Sequence, residues 1–209
     1  MRRSLFVWVF AMAVAGATVA QAQFAVAVRK PERPIPAIER VLVISVDGLR
    51  PDRALLANMP TLRAMLHDGA YTFWAKTTVV AITLPSHTSM VTGVTPNKHG
   101  ISWNHDLPLS QPVYPNQPTL MEMAKKVGYT TAMVAGKSKF DTLGKPGTLD
   151  YMFVPEKGTV GNDVVLAEAL KVIEQHKPEV LYLHFAEVDS TGHRHGWGSA
   201  EQFAAIERT

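Results

Sequence analysis

The chain has 209 residues, 46% hydrophobic and 19% charged, with no cysteine and a formal net charge of +3. That balance excludes a disordered chain, a disulfide framework and a lipid-attachment cysteine, and it suits one domain with a sizeable core. No basic stripe interleaved with aromatic residues is present, so a nucleic-acid polymer is not an expected partner.

The N-terminus opens with Arg2-Arg3, runs apolar from Leu5 to Ala20 and offers Ala20-Gln21-Ala22 as a small-residue cleavage site. This is the pattern of a signal peptide over residues 1–22, and the apolar run is shorter than the roughly 20 residues that span a bilayer. Export to a bacterial periplasm or beyond is the expectation, with no membrane attachment after cleavage. Without Arg2 and Arg3 the 21 basic residues become 19 against 18 acidic, and the formal charge falls from +3 to +1. Residues 23–37 carry Pro31, Pro34 and Pro36, which fix φ and favour an extended tether. The folded domain is expected over residues 38–209.

Within that domain Val41 to Val46 is a continuous β-branched and apolar run, as in a strand buried on both faces. Helical spacing follows from Met59 to His67, then a short strand around Phe73 to Thr77, then a helix opened by Thr83 or Leu84 as cap with Pro85 at the first helical position. Pro118 to Val127 reads as a helix stopped by Gly128, Thr130 to Val134 as a strand, and Asn162 as the cap of a helix reaching His176. Pro178 ends that helix, Val180 to Phe185 is another buried strand, and a last helix runs from Ser199 to the end. The alternation predicts an α/β fold, a mostly parallel sheet with helices on both faces, whose ligands bind at the carboxyl ends of the strands.

Three segments at strand or helix ends carry chemistry. Asp47-Gly48 closes the first strand, and an Asp-Gly there is ordinarily a turn. Thr83-Leu-Pro-Ser-His-Thr88 opens a helix whose amides would welcome an anion; Thr83 is either its cap or a nucleophile, and a threonine hydroxyl needs a metal or base to become one. Asp189-Ser-Thr-Gly-His193 places a carboxylate and an imidazole four residues apart on a glycine-containing loop, either a solvated loop or a ligand pair suited to zinc. Lys137 and Lys139, two apart after the strand that ends at Val134, are either solvated or paired to grip an anion.

Taken together, Asp47-Gly48, Thr83-Leu-Pro-Ser-His-Thr88, Thr92-Gly93-Val-Thr-Pro96, His99-Gly100-Ile101, Asn104 and Asp189-Ser-Thr-Gly-His193 resemble the alkaline phosphatase superfamily, in its type I phosphodiesterase/nucleotide pyrophosphatase branch. The resemblance implies two Zn2+ ions, with Asp47 and the nucleophile Thr83 on one and Asp189 and His193 on the other, a phospho-threonine intermediate, and Asn104 as a donor to a phosphoryl oxygen. It also implies that Lys137 and Lys139, as in phosphomonoesterase and phosphonoacetate-hydrolase relatives, bind a second charged group of the substrate. His87 then orients the nucleophile segment, His99 serves the turn before Gly100, and His195 lacks the ligand spacing. The family carries a further Asp-His pair and a later histidine, and neither occurs in the sixteen residues after His193. The expectation is therefore a C-terminally incomplete core with weak or no metal binding and an apolar sheet edge prone to association.

The functional expectation is a zinc-dependent hydrolase of phosphodiesters or nucleotide pyrophosphates. A phosphomonoesterase or phosphonoacetate-hydrolase-like enzyme, and a non-catalytic fragment that binds phosphate or a partner, are the alternatives. A sulfatase is disfavoured by the lack of cysteine, and a serine hydrolase by the lack of a G-x-S-x-G segment.

Overall fold

A computed structural model describes residues 38–110 and 112–209. The expected signal peptide and tether lie outside the described residues. Among the described residues no helix is long and apolar enough to cross a membrane.

Four strands, β1 (Val41–Val46), β2 (Thr131–Ala135), β3 (Tyr151–Phe153) and β4 (Val180–Phe185), form an all-parallel sheet in the order β1-β4-β2-β3. The register sets Val46 beside Phe185 and Ala135 beside His184, so β1, β2 and β4 end at one level. Helices α1 (Pro51–Leu56), α2 (Pro60–Asp68), α3 (Thr83–Thr92), α4 (Pro96–His99), α5 (Leu120–Lys126), α6 (Asn162–Gln175), α7 (Glu187–His195) and α8 (Ala200–Arg208) surround it.

Because side chains alternate across a strand, the central strands feed two cores. On one face Ala132, Val134, Leu181, Leu183 and Phe185 meet Val165, Ala169 and Val172 of α6. On the other, Met133, Ala135 and Tyr182 meet Val91 of α3, Met121 of α5 and Phe140 and Leu143 of the 3-10 helix Ser138–Leu143. Each fully buried aliphatic side chain contributes roughly 1.5–3 kcal/mol. Helices therefore cover both faces, as the alternating pattern predicts.

Several elements differ from the sequence reading. β1 is not buried on both faces: it is an edge strand, and Val41, Leu42 and Ile44 are each about half exposed. Residues 73–77 form no strand. Thr83 is the first helical residue of α3 behind an Ile82 cap, which puts Pro85 at the third position, where its missing N–H costs nothing. Asn162 does not cap α6, whose cap is Gly161. Its Oδ1 instead accepts from the backbone N–H groups of Ala186 (3.1 Å) and Glu187 (3.2 Å), so it caps α7 from across the fold. The Asp189–His193 segment is no loop but the body of α7, which starts one residue after β4 ends.

Candidate functional site

Strand ends bring the chemistry together. Asp47 follows β1, Lys137 follows β2 by one glycine, and Asp189 lies in the first turn of α7 directly after β4. Gly48 makes the closest of these approaches possible. It has φ +77, and a Cβ there would fall 2.7 Å from the Asp189 Cα, a distance only glycine tolerates.

The Lys137 ammonium donates to Asp47 Oδ2 at 2.6 Å and to Asp189 Oδ2 at 2.6 Å, joining the two carboxylates. The Thr83 hydroxyl donates to the same Asp47 oxygen at 3.1 Å. His193, one helical turn beyond Asp189, turns Nε2 to within 3.5 Å of Asp189 Oδ1 and packs edge-on against Trp197. Four expected site residues, Asp47, Thr83, Asp189 and His193, therefore meet in space although 146 positions separate the first from the last.

Asn104 supports the α3 end. Its Oδ1 accepts from the Leu84 N–H at 2.9 Å and from the Lys139 ammonium at 3.0 Å, which leaves its amide NH2 as the group able to donate. The Leu84 amide is thus already used, and the open row of amides expected at this helix start is reduced by Asn104 and by Pro85. Lys139 reaches Asn104, whereas Lys137 reaches the carboxylates, so the two lysines do not act as one pair. A cavity of about 530 Å³ opens over Thr83, Asn104, Lys137, Lys139, Asp189 and His193. His195 does not line it.

Beneath Asp47 lies a buried polar layer. His87 sends Nδ1 to the Thr83 carbonyl at 2.7 Å, and because a carbonyl only accepts, Nδ1 carries the proton. Its Nε2 then accepts from the Ser45 hydroxyl at 2.7 Å. His99, the last residue of α4, accepts at Nδ1 from the Ile101 N–H at 3.1 Å and sets Nε2 3.0 Å from Ser89 Oγ of α3.

Sequence reasoning missed His184. This imidazole is fully buried on β4, its Nε2 lies 3.4 Å from Asp47 Oδ2, and its Nδ1 has no partner among the described residues. Its signal was available, a lone histidine one residue from the C-terminal end of the apolar run Val180–Phe185. Asp47, His87 and His184 each place one donor atom within 4.8 Å of the others. Asp106 was missed too; it accepts from Ser138 Oγ at 2.7 Å, and both line the cavity.

Electrostatics follow from this packing. Burial pushes the Asp47 carboxyl upward, but the His184 hydrogen bond and the Lys137 charge outweigh it and hold it well below the carboxylate range. Burial, reinforced by the neighbouring His184, pushes His87 down to about 4, so it is neutral. Burial also lowers His184, against the pull of Asp47, and lowers Lys139, with the Lys137 charge adding to it.

The donor set suits a divalent cation: two carboxylates converge, a cation already lies between them, and neutral imidazoles flank the cluster.

No curated protein sequence matches the chain. Solved structures similar in fold include phosphonoacetate hydrolase from Sinorhizobium meliloti 1021 in complex with phosphonoformate, 19% identical with a TM-score of 0.64 over 81% of this chain and 51% of that one. Murine ectonucleotide pyrophosphatase/phosphodiesterase 5 is 20% identical with a TM-score of 0.62, over 81% and 49%. Lipoteichoic acid synthase from Listeria monocytogenes is 13% identical with a TM-score of 0.53, over 81% and 50%. The chain spans about half the length of these structures. The family profile described as type I phosphodiesterase/nucleotide pyrophosphatase matches residues 41–209, and the chain belongs to that family.

Proposed function

We propose that the protein hydrolyses phosphoric esters, of the phosphodiester or nucleotide pyrophosphate kind, with Thr83 as nucleophile and two Zn2+ ions as cofactors. The observation that carries this reading is the Thr83 hydroxyl at the start of α3, bonded to Asp47 at 3.1 Å and opening onto the cavity that Asn104 and His193 also line. Murine ectonucleotide pyrophosphatase/phosphodiesterase 5, solved in complex with AMP, is described as inactive when one threonine is replaced by alanine, which supports a threonine in this role.

In this proposal Asp47 and Thr83 would hold one ion, and Asp189 and His193 the other, and with two of these ligands each both ions would be held weakly. Such ions lower the pKa of a bound hydroxyl and neutralise charge developing on attacking and leaving oxygens. Asp47 serves to aim the hydroxyl, which donates to its Oδ2 at 3.1 Å. Thr83 Oγ1 gives its proton to solvent water and forms a bond to phosphorus as the bond to the ester oxygen breaks, the leaving oxygen taking a proton from water. A second water then displaces the threonine from the phosphoryl group, and the threonine oxygen regains its proton. The Asn104 NH2 donates to a phosphoryl oxygen while its Oδ1 stays fixed by Leu84. His87 keeps the α3 start in place through the Thr83 carbonyl. The small phosphorylated substrate enters the 530 Å³ cavity. Residues 1–22 act as an export signal, which places the enzyme in the periplasm or outside the cell.

A second reading, a phosphomonoesterase or phosphonoacetate-hydrolase-like enzyme, is favoured by Lys139, a cation at the cavity wall beside Asn104. Hydrolysis of bis-p-nitrophenyl phosphate, p-nitrophenyl phosphate and phosphonoacetate, with zinc and after chelation, separates the two. The diester is expected to be the best substrate and chelation to abolish turnover. Preference for the monoester or the phosphonate would select the second reading. Phosphate binding without turnover of any of the three would leave a non-catalytic binding protein.

A further inference from the structure

Lys137 does not behave as a substrate-gripping lysine. It is buried, at 6% exposure, and its ammonium stands 2.6 Å from an oxygen of each carboxylate and 3.4 Å from Thr83 Oγ1. The backbone around it is anchored. The Gly136 N–H donates to the His184 carbonyl at 3.0 Å, and Ser138 is tied to Asp106 and Gly158. Movement is left to the four-carbon stem, which ends at a cavity of about 530 Å³.

Two carboxylates that are each 11% exposed and held this close need a cation, and in this fold the chain supplies its own. A divalent ion on Asp47 or Asp189 would claim the same oxygens at ligand distances of about 2.0–2.2 Å. An ammonium lying 2.6 Å from both of those oxygens could not remain beside it against like-charge repulsion in a partly desolvated site. We propose that Lys137 is an intramolecular competitor for the metal site, a tethered cation that neutralises Asp47 and Asp189 and is expelled into the cavity when a divalent ion binds. The inference rests on the metal-dependent reading above and adds to it a coupling between metal loading and the position of Lys137. Loading is then weakened by the fraction of molecules in which the ammonium holds the carboxylates. The expelled ammonium arrives on the side where Thr83 and Asn104 face the substrate.

Two measurements on the chelator-treated protein test this. Calorimetric titration with zinc compares the unaltered protein with Lys137→Met, and the variant is expected to bind about tenfold more tightly or better. Labelling with an amine-acetylating reagent, read at the peptide carrying Lys137, is expected to be weak without zinc and to rise several-fold with it. If Lys137→Met does not fold, the labelling of the unaltered protein decides alone. Equal zinc affinity in both chains, or Lys137 labelling that ignores bound zinc, overturns the competitor and leaves the metal site standing. Absence of zinc binding in both the unaltered protein and the variant overturns the competitor and the metal-dependent reading together, and absence in the variant alone overturns the competitor.

Discussion

Gly48 shows how one missing side chain can assemble a site. Its φ of +77 and the 2.7 Å that a Cβ would leave to the Asp189 Cα make alanine incompatible with the present backbone. Gly48→Ala is expected to destabilise the fold by about 2–4 kcal/mol and to separate Asp47 from Asp189. The drop in urea midpoint checks the first effect, and loss of zinc affinity at a denaturant-free, still folded temperature checks the second. His87 sets a pH limit. Its folded pKa of about 4 lies below its ordinary 6.5, so the unfolded chain binds a proton first as pH falls. Stability from this group is complete above pH 6.5 and declines between 6.5 and about 4, by a total on the order of 3 kcal/mol. In His87→Gln the chemical-denaturation midpoint is expected to lose much of its dependence on pH across that window; an unchanged slope would show that His87 is not its source. At this scale Asp47, Thr83 and Asp189 were legible as candidates because they stand where elements end or begin beside a parallel sheet, and His193 by its four-residue spacing from Asp189. His184 was not, because a histidine inside an apolar strand gives no sign of which face it occupies or what it meets.

Among elements, agreement tracks how many faces of a segment are buried. β4 spans Val180–Phe185 as expected because it is central, pairs on both sides and hides five of its six residues. β3 went unread: three residues at an edge carry too little pattern to distinguish from a loop. The apolar segment at 73–77 has strand composition but no pairing partner among the described residues, and composition without pairing makes no strand. α7 reads as a loop in sequence because Gly192 sits inside it; its side-chain space is filled by Trp197 and Gln202, so the glycine serves packing and not flexibility. β1 carries the clearest liability. Leu42 and Ile44 share a face and are each 50% exposed beside an unpaired sheet edge. Such a surface is expected to drive concentration-dependent association, and Leu42→Lys with Ile44→Lys is expected to suppress it in sedimentation velocity while leaving the circular dichroism unchanged. Association that persists in the double variant would place the sticky surface elsewhere.

For the whole molecule, the sheet order β1-β4-β2-β3 explains why residues so far apart in sequence work together. β4 lies between β1 and β2, so the residues that follow these three strands, Asp47, Lys137 and Asp189, converge above its end. The α/β class, the parallel sheet and the two-sided helix layers were legible from alternating periodicity. The bridging of two carboxylates by Lys137 was not, since a lysine after a strand reads equally well as solvated. The chain spans about half the length of the structures it resembles, and Thr83 remains the residue on which the functional account turns. Zinc-dependent hydrolysis of bis-p-nitrophenyl phosphate by the protein and by Thr83→Ala, with zinc binding measured in both, tests that account most directly. The account predicts that the variant keeps zinc binding at Asp189 and His193, weakens it at Asp47, and loses turnover by about a thousandfold or more. A Thr83→Ala protein that retains full zinc-dependent activity would contradict it.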